Sequence, residues 1–172
     1  RVELEAEQRK LYLAAVVDAR EKLRAAKPED KMTVFAVLMR LREICCDPRL
    51  VADNWTGSSA KLEACLELVT EAVAGGHRIL LFSQFTSMLE LLAKRLDEAG
   101  VSHFTLQGST PKPVRAEQVR RFNQGEADVF LISLRAGGTG LNLTAADIVI
   151  HYDPWWNLAA QNQATDRAYR IG

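Results

Sequence analysis

The chain has no excess of either charge: lysine plus arginine and aspartate plus glutamate stand at 22 each among 172 residues. The field of the whole molecule therefore does not announce a polyanion, and any nucleic acid must be held by a local patch. Cysteine is scarce. The three present, Cys45, Cys46 and Cys65, are odd in number and fit neither a zinc-ligand nor a thioredoxin-like spacing. They read as reduced, buried thiols of an intracellular protein, and no residue set reads as a metal site. No apolar run approaches the roughly 20 residues that span a bilayer, and no secretory leader opens the chain. Internal repeats and low-complexity tracts are missing as well. So is a phosphate loop of the Walker type: the nearest candidate, Gly57 to Lys61, lacks the spacing and the Lys-Ser/Thr ending. What remains, 48% hydrophobic and 26% charged residues, is the make-up of one soluble domain with ample material for a core. Arg1 in place of an opening Met, and Gly172 inside an unfinished motif, point to a fragment of a larger protein.

Periodicity divides the chain. Residues Val2 to about Lys27 are rich in Ala, Leu, Glu, Lys and Arg, with Leu13, Val16 and Val17 at helical spacing, and Pro28-Glu29-Asp30 ends that helix. A second helix from Met32 to about Cys46 carries Val34, Val37, Leu38, Leu41 and Ile44, and the two are expected to pair as a hairpin. Val51 to Ser59 is polar and reads as a loop or boundary; Ala60 to Ala74 is a third helix closed by Gly75-Gly76. From there strands and helices alternate. Ile79 to Phe82 is a strand, and Thr86 to Ala99 a helix with a possible capping box of Ser87 and Glu90. His103 to Leu106 is a strand, Gly108 to Pro113 a turn, and Val114 to Asn123 a helix. Strands starting at Val129 and Asp147 follow, then a terminal helix from Leu158 to Tyr169. The apolar runs Val129 to Ile132 and Ile148 to Ile150 lack alternation, as strands covered on both faces do, so the expected fold is a three-layer α/β sandwich around a parallel sheet.

In such a fold, ligands bind where loops leave the strands. Ser133 to Gly140 reads SLRAGGTG, and Gly137, Gly138 and Gly140 let backbone N–H groups approach phosphate or sugar oxygens. A dinucleotide-binding turn is excluded, because no third glycine follows at the required spacing. Only six residues lie between Gly140 and Asp147, whereas a whole crossover takes about 10 to 12 or more. On the glycines alone, a tight turn without ligand explains the loop equally well. Gln163, Arg167 and Arg170 recur at i, i+4 and i+7, so one helical stripe carries two guanidinium groups, a pattern suited to the terminal phosphate of a nucleotide. Arg170 has a plainer alternative, an ion pair with Asp166 four residues earlier. Between these segments stands Asp153-Pro154-Trp155-Trp156-Asn157. Tryptophans usually anchor cores, but two in succession in an irregular segment do not easily share one core, and a displayed indole beside phosphate-binding loops suits a nucleic-acid groove.

Five runs in this order and spacing are distinctive together: ILLFSQF (79–85), LQGST (106–110), LRAGGTGLNL (134–143), DPWWN (153–157) and QATDRAYRIG (163–172). They resemble the second, C-terminal RecA-like lobe of the Snf-type DNA translocases, superfamily 2 helicase-like ATPases that include chromatin remodellers and bacterial relatives. A bacterial member is the expectation. LREICCDPRL (41–50) resembles the helical lead-in of that lobe, so the resemblance covers nearly the whole chain.

The resemblance implies a RecA-like, P-loop NTPase-like lobe over residues 59–172, truncated at its end, preceded by a helical lead-in over 1–58. It implies a role for each matching position. Arg167 and Arg170 are the paired arginine fingers reaching ATP held mainly by a first lobe, with Gln163 beside them. Gly137, Gly138 and Gly140 face the nucleotide, with Arg135 and Thr139 of the same loop on the DNA side. Trp156 enters the minor groove, with Asn157 near the backbone. Ser109, Thr110 and Arg115 grip phosphates, and Ser83 and Gln84 form a first DNA-side motif. Such contacts position a protein on DNA without reading sequence. Leu158 stands where the family usually has Pro. The implied partners are double-stranded DNA, ATP with Mg, and the N-terminal ATPase lobe of the same polypeptide; no membrane and no oligomer are implied. The whole protein is expected to be a DNA-dependent ATP hydrolase, and this lobe alone inactive. A bacterial protein of this kind would work in the cytoplasm on the nucleoid, a eukaryotic one in the nucleus. Other superfamily 2 motors that unwind strands, and a non-catalytic interaction module, remain alternatives.

Overall fold

A computed structural model describes residues 2–27, 30–137 and 141–154, together with Asn162 and Asp166. By internal contacts the chain divides into two units, Arg1–Ala64 and Cys65–Gly172, the division falling inside the third helix.

In the first unit, α1 (Ala6–Ala25) and α2 (Lys31–Cys46) pack together as the expected hairpin. Helix α2 starts where the Asp30 carboxylate accepts the Thr33 N–H at 3.0 Å and the Thr33 hydroxyl at 2.6 Å, satisfying a donor the first turn leaves without a partner. These bonds hold the Asp30 carboxyl below its ordinary range. At the other end Asp47 is fully buried, and its carboxylate takes the Arg49 N–H at 2.9 Å and two guanidinium bonds at 2.8 Å each. Burying a carboxylate is tolerable with such a charged, forked partner. The same contact opens a 3-10 turn at Pro48–Leu50. Gln8 donates to the Ile44 carbonyl at 2.9 Å and Ser59 to the Cys46 carbonyl at 3.2 Å. LREICCDPRL is thus a framework of helix ends fixed by side chains. Of the apolar positions expected to face a core, Val37 and Ile44 are buried, whereas Leu13, Val17, Val34 and Leu38 are exposed, so the hairpin covers one stripe of each helix. The three cysteines are free; burial pushes the Cys45 thiol up, with Lys61 opposing, which makes it a poor nucleophile.

The second unit takes in α3 (Ala60–Ala74) from Cys65 on, and the helix is followed closely by Gly76. That residue sits at φ +83°, a conformation glycine adopts freely. Then follow β1 (Ile79–Ser83), α4 (Thr86–Glu98), β2 (His103–Leu106), α5 (Lys112–Asn123), β3 (Val129–Ser133), a single turn α6 (Leu134–Gly137) and β4 (Ile148–His151). The sheet is parallel throughout, in the order β2-β3-β1-β4, with Ile79 opposite both Val129 and Ile148. Every residue of β1 and β3 is buried, as their unbroken apolar runs require of central strands. Burial on both faces was also expected for Ile148 to Ile150. These residues are only half-buried, because among the described residues β4 is an edge strand of the sheet. Phe82, Phe122, Phe130 and Leu106 lie in one core cluster, with the Phe130 ring edge-on to Phe122 at 5.2 Å and to Phe104 at 6.0 Å. Among the described residues no helix is long and apolar enough to cross a membrane.

Three local expectations are corrected. The Ser87–Glu90 capping box does not form: the N-cap of α4 is Phe85, without a side-chain cap, and Ser83 Oγ accepts the Phe85 N–H at 3.1 Å instead. Helix α5 begins at Lys112, inside the expected turn, because Pro113 fits the first turn of a helix, where its missing N–H has no partner to lose. The glycine loop opens as the helical turn α6, so Gly137 is a buried helical residue. The expected terminal helix lies outside the described residues except for Asn162 and Asp166, both helical and exposed.

Candidate functional site

Four parallel strands put four sets of loops on one edge of the sheet. Ser83 lies opposite Ser133, Phe82 opposite His151, and Leu106 opposite Ile132. The residues that follow, Gln84, Leu134, Tyr152 and Gln107, therefore leave the sheet along the same carboxyl edge, where open α/β sheets bind ligands. Every described candidate residue sits on this edge or on the segments it feeds.

At the end of β2, Thr110 closes a tight turn: its hydroxyl accepts the Gln107 N–H at 3.0 Å and its own N–H reaches the Gln107 carbonyl at 3.1 Å. One turn into α5, Arg115 donates to the Thr110 carbonyl at 3.5 Å. Ser109 is exposed at the tip. Thr110 and Arg115 are thus joined through the Thr110 carbonyl, with Ser109 exposed next to them in the chain.

At the end of β3, Ser133 Oγ accepts the Ala136 N–H at 3.3 Å and secures α6. Arg135 projects from that turn into solvent, whereas Leu134 and Ala136 are buried. Where the chain returns, Leu141 and Leu143 enter the core. Asn123, the last residue of α5, donates to the Asn142 carbonyl at 2.8 Å and accepts the Ala145 N–H at 3.3 Å. Both roots of the glycine loop are thus fixed. Gly138, Thr139 and Gly140 themselves lie outside the described residues.

At the end of β4 the Tyr152 N–H bonds the Phe82 carbonyl at 2.9 Å, extending the pairing with β1 by one residue. His151 stacks on Phe82, with ring centroids 5.2 Å apart and planes inclined by 18°. Its burial holds the imidazole pKa below the ordinary value, while nearby Asp153 pulls it the other way. Asp153 is itself buried, and its carboxylate receives the Ser83 hydroxyl at 2.5 Å and the Gln84 N–H at 3.1 Å.

Ser83, expected in a first DNA-side motif, is fully buried here, with its hydroxyl engaged by Asp153. Gln84 is partly buried, with its side-chain amide nitrogen enclosed. Trp156, Asn157, Gln163, Arg167 and Arg170 lie outside the described residues. Sequence reasoning assigned no role to Asp153 or Ser133. For Ser133 the available signal was a polar residue directly after an apolar run, where a strand ends and its last side chain is still inside. Among the described residues no group of three or more His, Cys, Asp or Glu side chains is arranged to hold a metal ion, so no Mg ligand is assigned here.

A parallel sheet whose strand-end loops leave along one edge defines an α/β lobe of the kind that binds its ligands there. Comparison with known proteins gives the family: the helicase conserved C-terminal domain matches residues 60–172, and the chain belongs to it, in the form carried by SWI2/SNF2 ATPases. Among curated proteins it is 41% identical over 178 residues to the putative ATP-dependent helicase/translocase YwqA of Bacillus subtilis, covering 99% of this chain and 19% of that protein. It is 35% identical over 178 residues to the SWI/SNF-related matrix-associated actin-dependent regulator of chromatin subfamily A member 1 of Mus musculus, covering 96% of this chain and 17% of that protein. The chain thus spans less than a fifth of these relatives. Among solved structures, the Sulfolobus solfataricus SWI2/SNF2 ATPase core in complex with dsDNA superposes with a TM-score of 0.84 at 28% identity, covering 99% of this chain and 36% of that one. The C-terminal domain of that ATPase gives 0.80 at 25% identity, covering 96% of this chain and 83% of that one. The expected RecA-like, mainly parallel architecture is thereby established.

Proposed function

We propose that this chain is the second motor lobe of an ATP-dependent double-stranded DNA translocase, and that residues 1–58 form its helical extension. The reading is carried by one observation: the loops that follow all four strands leave along a single edge of a parallel sheet. A likeness to an ATPase core whose solved structure contains dsDNA supports it.

In this reading Arg167 and Arg170, with Gln163 beside them, complete an ATP site whose phosphate loop and Mg ligands belong to a first lobe. A guanidinium placed there stabilises the charge that develops on the transferred phosphoryl oxygens. The glycine loop, 137 to 140, faces nucleotide and DNA. Ser109, Thr110 and Arg115 hold backbone phosphates through a hydroxyl and a forked cation, Gln84 and Arg135 lie alongside, and Trp156 occupies the minor groove next to Asn157. ATP favours the closed pair of lobes and hydrolysis releases it, so alternating grip becomes directional movement.

The test is made on the full-length protein with duplex DNA, measuring ATP hydrolysis and strand displacement together. Hydrolysis stimulated by duplex DNA without release of a strand is the expected result. Efficient strand release would assign the parent to the unwinding helicases, and absence of stimulation would favour an interaction module.

A further inference from the structure

Asp153 and Ser83 are 70 residues apart, and both are enclosed at the carboxyl edge of the sheet, with relative exposures of 1% and 0%. The described partners of the Asp153 carboxylate are two neutral donors, the Ser83 hydroxyl at 2.5 Å and the Gln84 N–H at 3.1 Å. Taking a carboxylate out of water is costly, and stability alone is served at least as well by an apolar residue of similar volume. What the carboxylate adds is direction. Each oxygen accepts from a different residue of β1 or its exit, so the chain leaving β4 can sit in one register only. Asp153 lies two residues before Trp155 and three before Trp156. Ser83, whose hydroxyl also accepts the Phe85 N–H, pairs in register with Ser133, the residue that secures the turn leading into the glycine loop.

Resting on the function proposed above, we infer that Asp153 is a positioning residue. Its carboxylate clamps the root of the tryptophan segment to the end of β1, and that placement sets how tightly the motor engages duplex DNA. The clamp touches neither nucleotide nor DNA. Its loss frees Asp153 and the chain leaving β4 from that single register, and the binding-competent fraction falls.

The experiment uses the full-length protein with Asp153→Asn, Ser83→Ala and the double variant, following ATP turnover against duplex DNA concentration. Asparagine keeps one acceptor but presents an N–H₂ where the carboxylate had its second. Ser83→Ala removes one grip and leaves the Gln84 N–H in place. Half-saturating DNA is expected to rise roughly tenfold in either single variant, the scale of one lost hydrogen bond to a charged group. The double variant should be little worse than Asp153→Asn, because both remove the same clamp. A role confined to folding would lower maximal turnover in proportion to the folded fraction and leave half-saturating DNA unchanged, and that result overturns the inference. If Asp153→Asn does not fold, Ser83→Ala decides by the same criterion. A parent protein that duplex DNA does not stimulate overturns the motor-lobe reading and this inference with it. Stimulation in the parent with unshifted variants overturns this inference alone.

Discussion

Replacing Arg170 by alanine in the full-length protein is expected to lower DNA-stimulated ATP turnover by about 10³-fold or more while leaving ATP affinity nearly intact. An arginine finger acts on charge that appears only as the phosphoryl group is transferred, and its loss typically costs factors of 10³ to 10⁵ in rate. Lysine at this position should recover little, since a point charge does not replace the planar fork. Asp166→Ala separates this account from its plainer rival. Asp166 is helical, exposed and four residues before Arg170, the favourable order for a surface ion pair. If that pair were the whole role of Arg170, either variant would have the same small effect, because exposed pairs contribute at most about 1 kcal/mol. A large loss is expected for Arg170→Ala and a change within about twofold for Asp166→Ala.

The largest effect on stability is expected from Phe130→Ala. Phe130 is fully buried in the central strand β3 and packs edge-on against Phe122 and Phe104. Removing such a ring costs its transfer free energy plus the cavity left behind, about 3 to 5 kcal/mol. For a chain of this length that corresponds to a fall in melting temperature on the order of 10 °C. Phe130→Leu, which refills most of the volume, should recover more than half of the loss. A melting temperature lowered by no more than a couple of degrees in the alanine variant would show that this core yields more easily than its burial implies.

Segments with an unambiguous period were legible in the sequence. The helix Ala60–Ala74 and the strand His103–Leu106 fall where glycines and polar turns bound them, and the parallel sheet follows from strands alternating with helices. The corrections arise where a side chain competes with local pattern. Ser87 and Glu90 have the spacing of a capping box, but the helix already starts at Thr86, so Ser87 stands inside its first turn and not at its N-cap. Ile148 to Ile150 read as buried on both faces because composition does not reveal which strand is an edge; strand order decides that. The Ser83 orientation was not legible, because a motif fixes residue type and not direction, and its hydroxyl turns inward to Asp153. The same reason hid Asp153, whose role needs a partner 70 positions away. The turn after β2 was legible because Gly108 and its polar neighbours mark it locally, and Thr110 closes it on Gln107.

The central claim is that this lobe supplies half of an ATP site. The most direct measurement is phosphate release by the purified 172-residue chain given ATP, Mg and saturating duplex DNA. The sequence carries no Walker loop, so the account predicts no release above the buffer rate. Turnover of about one per second or faster, as ordinary enzymes sustain, would contradict it.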